Sequence, residues 1–157
     1  MISAADSLFA NMNMTTLTYI DANETWKDRI GKEWGEKAAR HMHLSDGFSV
    51  VALDDGNLVG LISIYAKKLP CPLETFDWYI DILEVHKEYR RKGIATHLIK
   101  IASERAKEAG VYQIRSWSSE DKIEAIPMWK ALGFGLCPAV TYPQGKEVKG
   151  YFVAKVL

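Results

Sequence analysis

Apolar residues recur along this chain with two periods, and the switches between them mark alternating strands and helices. Residues 16–20 (TLTYI) are β-branched and aromatic, which predicts a first strand. Asp21, with Glu24 three residues on, reads as an N-cap and capping box. Trp26, Ile30, Trp34 and Ala38 follow at spacing four and predict one long helix to about Met42. The apolar runs 48–53 and 58–65 flank Asp54-Asp55-Gly56-Asn57, a hairpin signal. Residues 67–73, with two prolines, predict a loop, and Phe76–Val85 a strand long enough to be central. Ile94, Leu98, Ile101, Ala102, Arg105, Ala106 and Ala109 then fall on one helical stripe, with Lys100, Glu104, Lys107 and Glu108 opposite and Gly110 just past the end. Residues 112–117 predict a strand. A short helix containing residues 128–132, with Pro127 in its first turn, ends at Gly133. The last strands are 136–142 and Val148–Val156, around Pro143-Gln144-Gly145-Lys146. Residues 1–13 read as an N-terminal extension or tail. Residues 14–157 read as a single α/β (α+β) domain, a mixed central sheet of about six to seven strands flanked by helices.

Charge narrows the function classes. The chain has 20 Lys+Arg and 20 Asp+Glu, so its overall field suits neither a general nucleic-acid binder nor a membrane-surface binder. Cys71 and Cys137 lack the spacing of a zinc site or a disulfide framework, and no metal is expected. His41, His43, His86 and His97 form no ligand set by spacing. With no signal-peptide pattern in residues 1–14, the cytoplasm is the expected location.

Local charge is more informative. Arg90, Arg91 and Lys92 stand directly before Gly93, where the long strand gives way to the amphipathic helix. Cations at the positive pole of a helix are unfavourable unless an anion joins them. A strand, a glycine turn and a helix N-terminus together make an anion site from backbone N–H groups. The chain lacks the glycines and Lys-Ser/Thr pair of GxxxxGK[ST], and GxGxxG is also missing. Arg90-Arg91-Lys92-Gly93-Ile94-Ala95 fits [RQ]xxGx[GA], whose small residues let the backbone approach a diphosphate. By itself the hexapeptide also fits a solvated basic turn that opens a helix.

The run DILEVHKEYRRKGIATHLIKIASERAKEAG, followed by MWKALGF at 128–134, resembles the GNAT superfamily of acyl-CoA-dependent N-acetyltransferases. The resemblance is most specific over residues 81–110, has a second anchor at Gly133-Phe134, and extends to the element order from Thr16 onward. It implies that main-chain N–H groups of Arg91, Lys92, Gly93, Ile94, Ala95 and Thr96 bind the pyrophosphate of acetyl-CoA, with Arg90 as the motif's first residue. It also implies that Leu83 through Val85 pair with the pantetheine arm. The reaction implied is direct attack of a primary amine, of a small molecule or peptide, on the thioester, without a covalent enzyme intermediate. A homodimer is left open.

Strict alternation puts Asp77, Tyr79, Asp81, Leu83 and Val85 on one face of the long strand and Trp78, Ile80, Ile82 and Glu84 on the other. Relatives often carry an acid at or near the position of Asp81, so Asp81 is the expected base, with Tyr79 beside it. Glu84 is second choice, reached if a bulge turns it toward the cleft. Many relatives place a Tyr four residues before the Gly-Phe pair as the acid for the departing thiolate. Here that position is Trp129, whose indole N–H only donates. An Asn that commonly precedes this helix corresponds to Lys122. Lys122 and Trp129 are expected to contact CoA, and the proton for the thiolate is left open between solvent and, as weaker alternatives, Tyr142 and Tyr89. The missing Tyr also supports another reading, a non-catalytic acyl-CoA-binding or sensor domain. Asp77, Asp81, Glu84 and Glu74 suit a cationic amine acceptor, to which Trp26, Trp34, Trp78 and Tyr79 offer aromatic surface.

Overall fold

The computed structural model describes residues 16–157, so the expected tail at 1–13 lies outside the described residues. The elements are β1 (Leu17–Asp21), α1 (Glu24–Glu33), α2 (Glu36–Arg40), β2 (Gly47–Asp54), β3 (Asn57–Lys68), β4 (Phe76–Val85), α3 (Ile94–Glu108), β5 (Gln113–Ser119), α4 (Ala125–Ala131), β6 (Gly135–Thr141) and β7 (Val148–Val156). They build one mixed seven-stranded sheet in the order β1-β2-β3-β4-β5-β7-β6. Every neighbouring pair is antiparallel except β4 and β5, which are joined by the crossover helix α3. Both faces of the sheet are covered. Ile94, Leu98, Ile99, Ala102 and Ala106 of α3 pack with Trp129 and Phe134 against Val50, Ile62, Ile64, Ile80 and Ile114. On the other face Ile30, Ala39 and Met42 pack against Val51, Leu58 and Leu61.

Two expectations about the first helical region need correction. Asp21 is the last residue of β1, paired with Val50, and its carboxylate reaches Arg105 at 2.7 Å. The N-cap is Asn23, whose Oδ1 accepts from the Trp26 N–H at 3.2 Å. The single long helix is in fact two. The N–H groups of Trp34 and Gly35 both turn back to the Ile30 carbonyl, and Gly35 has φ 96°, a conformation that favours glycine. Trp26, Ile30, Trp34 and Ala38 nonetheless reach the same apolar cluster, because α2 continues over the same sheet face. The expected loop also starts later, since β3 runs on through Lys68.

A fourth correction concerns β4. Ser63 faces Ile82 and Ile64 faces Ile80, which leaves Asp81 as an extra residue in the ladder. Such a bulge shifts the phase of every side chain beyond it. Trp78 and Ile80 point toward the α3 cluster, and after the bulge so do Leu83 and Val85. Ile82 packs instead with the α1–α2 cluster, so Ile82 and Glu84 join the face of Tyr79 and Asp81. The strict alternation across 77–85 does not hold.

The first turn of α3 depends on a close approach at Gly60 of β3. A Cβ there would lie 2.8 Å from Ile94 Cγ2, 3.1 Å from Ala52 Cβ and 3.3 Å from Leu98 Cδ1. Gly60→Val is therefore expected to lift the helix start from the sheet and destabilise the protein by about 1–3 kcal/mol, the usual scale of overpacking. The measurement is the urea midpoint at unchanged slope, and a wild-type midpoint would contradict the packing described.

Candidate active site

β4 and β5 pair at two positions only, Trp78 with Ile114 and Tyr79 with Arg115. Beyond them the strands diverge, and the Ser116 hydroxyl donates to the Ile80 carbonyl at 2.8 Å near the fork. The opening is a cleft of about 550 Å³. One wall is Asp81 through Val85, and the opposite wall is Ser116, Trp117 and Ser118. Lys37 of α2 and His41, its C-cap, border it from one side, and Lys122, Met128 and Trp129 from the other. Past Tyr79 the edge of β4 that faces β5 has no strand partner among the described residues, because β3 occupies the other edge. Such an edge presents free backbone donors and acceptors.

The basic turn follows the β4 wall after one 3-10 turn, Lys87–Tyr89. Arg91 (φ 63°) and Gly93 (φ 81°) are both left-handed, and Gly93 caps α3 without a side-chain hydrogen bond. The N–H groups of residues 91–96 find no acceptor among the described residues, and the helix ladder starts with His97 N–H to Gly93 O at 3.0 Å. Unpaired donors at the positive pole of a 15-residue helix form an anion cradle.

The three cations differ in their surroundings. The Arg90 guanidinium donates to the Val85 carbonyl at 3.2 Å and to Glu124 at 2.9 Å, and meets Glu84 at 3.4 Å. It thus ties the end of β4 to the start of α4 by existing contacts. Lys92 Nζ lies 4.7 Å above the Tyr89 ring. The Tyr89 hydroxyl donates to Asp54 at 2.9 Å, and this bond raises its pKa. The Tyr142 hydroxyl reaches Glu147 at 3.4 Å, so Tyr89 and Tyr142, the alternative acids for the thiolate, are both hydrogen-bonded to carboxylates elsewhere.

Asp81 is the centre of a polar network. Its Oδ2 lies 2.9 Å from His41 Nδ1 and 3.0 Å from His43 Nε2. His43 Nδ1 is 2.9 Å from Asp46 Oδ2, and this hydrogen bond lowers the Asp46 pKa. The main chain of His43 is fixed as well: its N–H donates to Ser63 Oγ at 2.7 Å and its carbonyl accepts from Ser49 Oγ at 3.0 Å. The ring stacks on Tyr65 at 4.4 Å. Tyr79 packs beside Tyr65, under Lys67 Nζ at 4.5 Å, and burial raises the pKa of its hydroxyl.

Of the expected site residues, Asp81, Leu83, Glu84, Val85, Lys122 and Trp129 share the cleft lining. Tyr79 lies just before the bulge and does not line it. Asp77 is 3% exposed and ion-paired to Arg115, so it adds no free charge for a cationic acceptor. Trp129 is 4% exposed, edge-on to Phe134, and its Nε1 is buried without a partner among the described residues. Ser118 Oγ, on the opposite wall, is equally buried and unpartnered. His41 and His43 are what sequence spacing missed. They stand 40 and 38 residues from Asp81, so their meeting is a product of the fold alone.

The cleft, the free strand edge and the amide cradle fit a long ligand with an anionic end and hydrogen-bonding groups along its length. The model described as Acetyltransferase (GNAT) family matches residues 12–134. N-alpha-acetyltransferase 30 of Schizosaccharomyces pombe is 32% identical over 93 residues, 59% of this chain and 61% of its own length. Arabidopsis thaliana NAA60 in complex with acetyl-CoA superimposes with a TM-score of 0.73 at 16% identity, over 90% of this chain and 99% of that one. The ribosomal-protein-S18-alanine N-acetyltransferase of Escherichia coli gives 0.69 at 16% identity, over 90% and 94%. At such identities these structures speak to the fold, whereas the family model covers most of the sequence. This chain belongs to the acetyltransferase (GNAT) family.

Proposed function

We propose that this protein transfers an acetyl group from acetyl-CoA to a primary amine of a small molecule or peptide. The observation that carries the reading is the diverged β4–β5 cleft, which has Asp81 on its wall and the amide cradle of residues 91–96 just past its end. The cradle holds the pyrophosphate, helped by Arg91 and Lys92, while Arg90 braces the cleft through Glu84 and Glu124. The unpaired edge of β4 at residues 83–85 orients the pantetheine arm, and one of its N–H groups takes the charge developing on the carbonyl oxygen. Acetyl-CoA supplies an activated thioester, which the amine attacks directly. The amine approaches from the α2 side, past Lys37 and His41, and gives up its proton to the group centred on Asp81. Asp81 and Glu84 are the carboxylates on that wall, Glu84 in an ion pair with Arg90, and Lys37, Lys87 and Lys122 share the lining, so any preference for a cationic acceptor rests on Asp81 at the point of attack. The same Asp81 network favours catalysis over a non-catalytic acyl-CoA sensor, which would have no use for a base beside the thioester.

Thiol release from acetyl-CoA across a panel of amines tests the reading: release with at least one amine supports it, and CoA binding without release for any would favour the sensor. Gly93→Val is expected to weaken CoA at least tenfold in calorimetric titration, because a branched residue resists φ 81° at the cradle. Wild-type affinity in a folded Gly93→Val protein would remove the cradle from the cofactor site. Trp129→Phe is expected to keep turnover within a few-fold of wild type, since its indole N–H is buried and is no acid near neutral pH. A loss of about a hundredfold with unchanged CoA affinity would instead mean that an acid–base role resides there.

A further inference from the structure

Asp81 does not face the acceptor alone. His41 caps the C-terminus of α2, and its Nδ1 lies 2.9 Å from Asp81 Oδ2. An ionised carboxylate only accepts hydrogen bonds, so the neutral ring carries its proton on Nδ1 and its lone pair on Nε2. No described residue bonds Nε2, and the ring, 42% exposed, lines the cleft. Asp81 is more enclosed, with its side chain 25% exposed and Oδ2 already shared between two rings. An imidazole is also a stronger base than a carboxylate, by about two pH units in model peptides.

We infer that His41 Nε2, held in this tautomer by Asp81, is the base that takes the proton from the attacking amine. The inference rests on the acetyltransferase reading above and assigns its proton acceptor. One N–H bond of the ammonium breaks, its proton forms the Nε2–H bond, and the electron pair left on nitrogen attacks the thioester carbonyl carbon. When the C–S bond breaks, its electron pair goes to sulfur. The nitrogen loses two protons between ammonium and amide: one ends on the thiol and the other in solvent.

Asp81 and His43 are positioning residues in this scheme. Asp81 fixes the His41 ring and balances the charge it gains, as a carboxylate does for any histidine that cycles between base and acid. His43 holds Asp81 from the far side, with its own second nitrogen on Asp46 and its main chain pinned by Ser49 and Ser63. The titratable and charged groups around His41 are Asp81 and Glu84 from β4, His86 and Lys87 after it, Lys37 from α2 and Lys122 from across the cleft.

The test measures kcat/KM from about pH 6 to about pH 10 for full-length wild type, His41→Ala, His41→Gln and Asp81→Asn, with acetyl-CoA and a tetrapeptide bearing a free α-amine, spermidine and L-lysine as probes. His41 must be unprotonated to work, and the amine needs no base once solution pH has deprotonated it. Both His41 variants should therefore lose about a hundredfold at the acid end and recover to within a few-fold at the alkaline end. Added imidazole should restore His41→Ala in proportion to its concentration, which a merely structural histidine would not allow. Asp81→Asn should show the same pH trend without rescue. CoA affinity and melting temperature should stay near wild type, because His41 sits half-exposed at a helix end. A wild type active on any probe, with His41→Ala equally active or impaired by a constant factor at all pH values and indifferent to imidazole, overturns the assignment and leaves the acetyltransferase reading intact. A wild type that neither binds CoA nor releases thiol overturns both.

Discussion

Between the pairs Ser63–Ile82 and Ile64–Ile80, β4 holds one residue that β3 does not match, and that residue is Asp81. A bulge bends and twists the strand that carries it. Here the distortion falls just after the last pair between β4 and β5, so the strands separate where a parallel ladder would otherwise continue. The same extra residue sends the following side chains to new faces, with Leu83 and Val85 in the α3 core and Ile82 under α1 and α2. One inserted residue thus opens a free backbone edge beyond Tyr79 and brings Ile82 and Glu84 to the face on which Asp81 already meets the loop after α2.

The basic turn is coupled to this geometry. Cations just before the first turn of α3 oppose its dipole, and Arg90 is set apart from the other two by its partners. Arg90 is matched by Glu84 and Glu124 and by the Val85 carbonyl, at 44% side-chain exposure. Ion pairs this open to solvent contribute little to stability. Their consequence is geometric, because they span from the end of β4 to the start of α4 and so fix the width of the cleft. The pyrophosphate of the proposed donor is left to the amides of 91–96, which have no acceptor among the described residues, with Arg91 and Lys92 beside them.

What could be read from the sequence follows the range of the forces involved. The strands, α3 and the basic glycine turn that opens it were legible because each is set by residues close in sequence: a period, a glycine, a cluster of cations. The split at Gly35 had a local signal as well, a glycine just past a helical turn, but the apolar spacing through Ala38 argued for continuity. Asn23 and Asp21 are both good caps, and pairing of Asp21 with Val50 decided between them. The bulge was invisible because register belongs to two strands rather than one. The histidine cluster was invisible because the chain between His43 and Asp81 makes a hairpin and a loop before returning.

The two ends of the proposed reaction are treated differently, and Trp129 shows why that is workable. Four residues before Gly133, the site is apolar: Trp129 lies edge-on to Phe134 in the α3 core, with its N–H buried and unpaired. A buried donor without a partner costs about 1–3 kcal/mol, so this position is shaped by packing and not by proton transfer. A departing thiolate tolerates that, since a thiol with a pKa of about 8.5 leaves readily as an anion and is protonated by water afterwards. An ammonium has no such latitude, because its nitrogen has no electron pair to attack with until a proton has gone. The polar apparatus of the cleft is accordingly concentrated on the amine's side, where Asp81 gathers His41 and His43 and buried serines hold the His43 backbone in place.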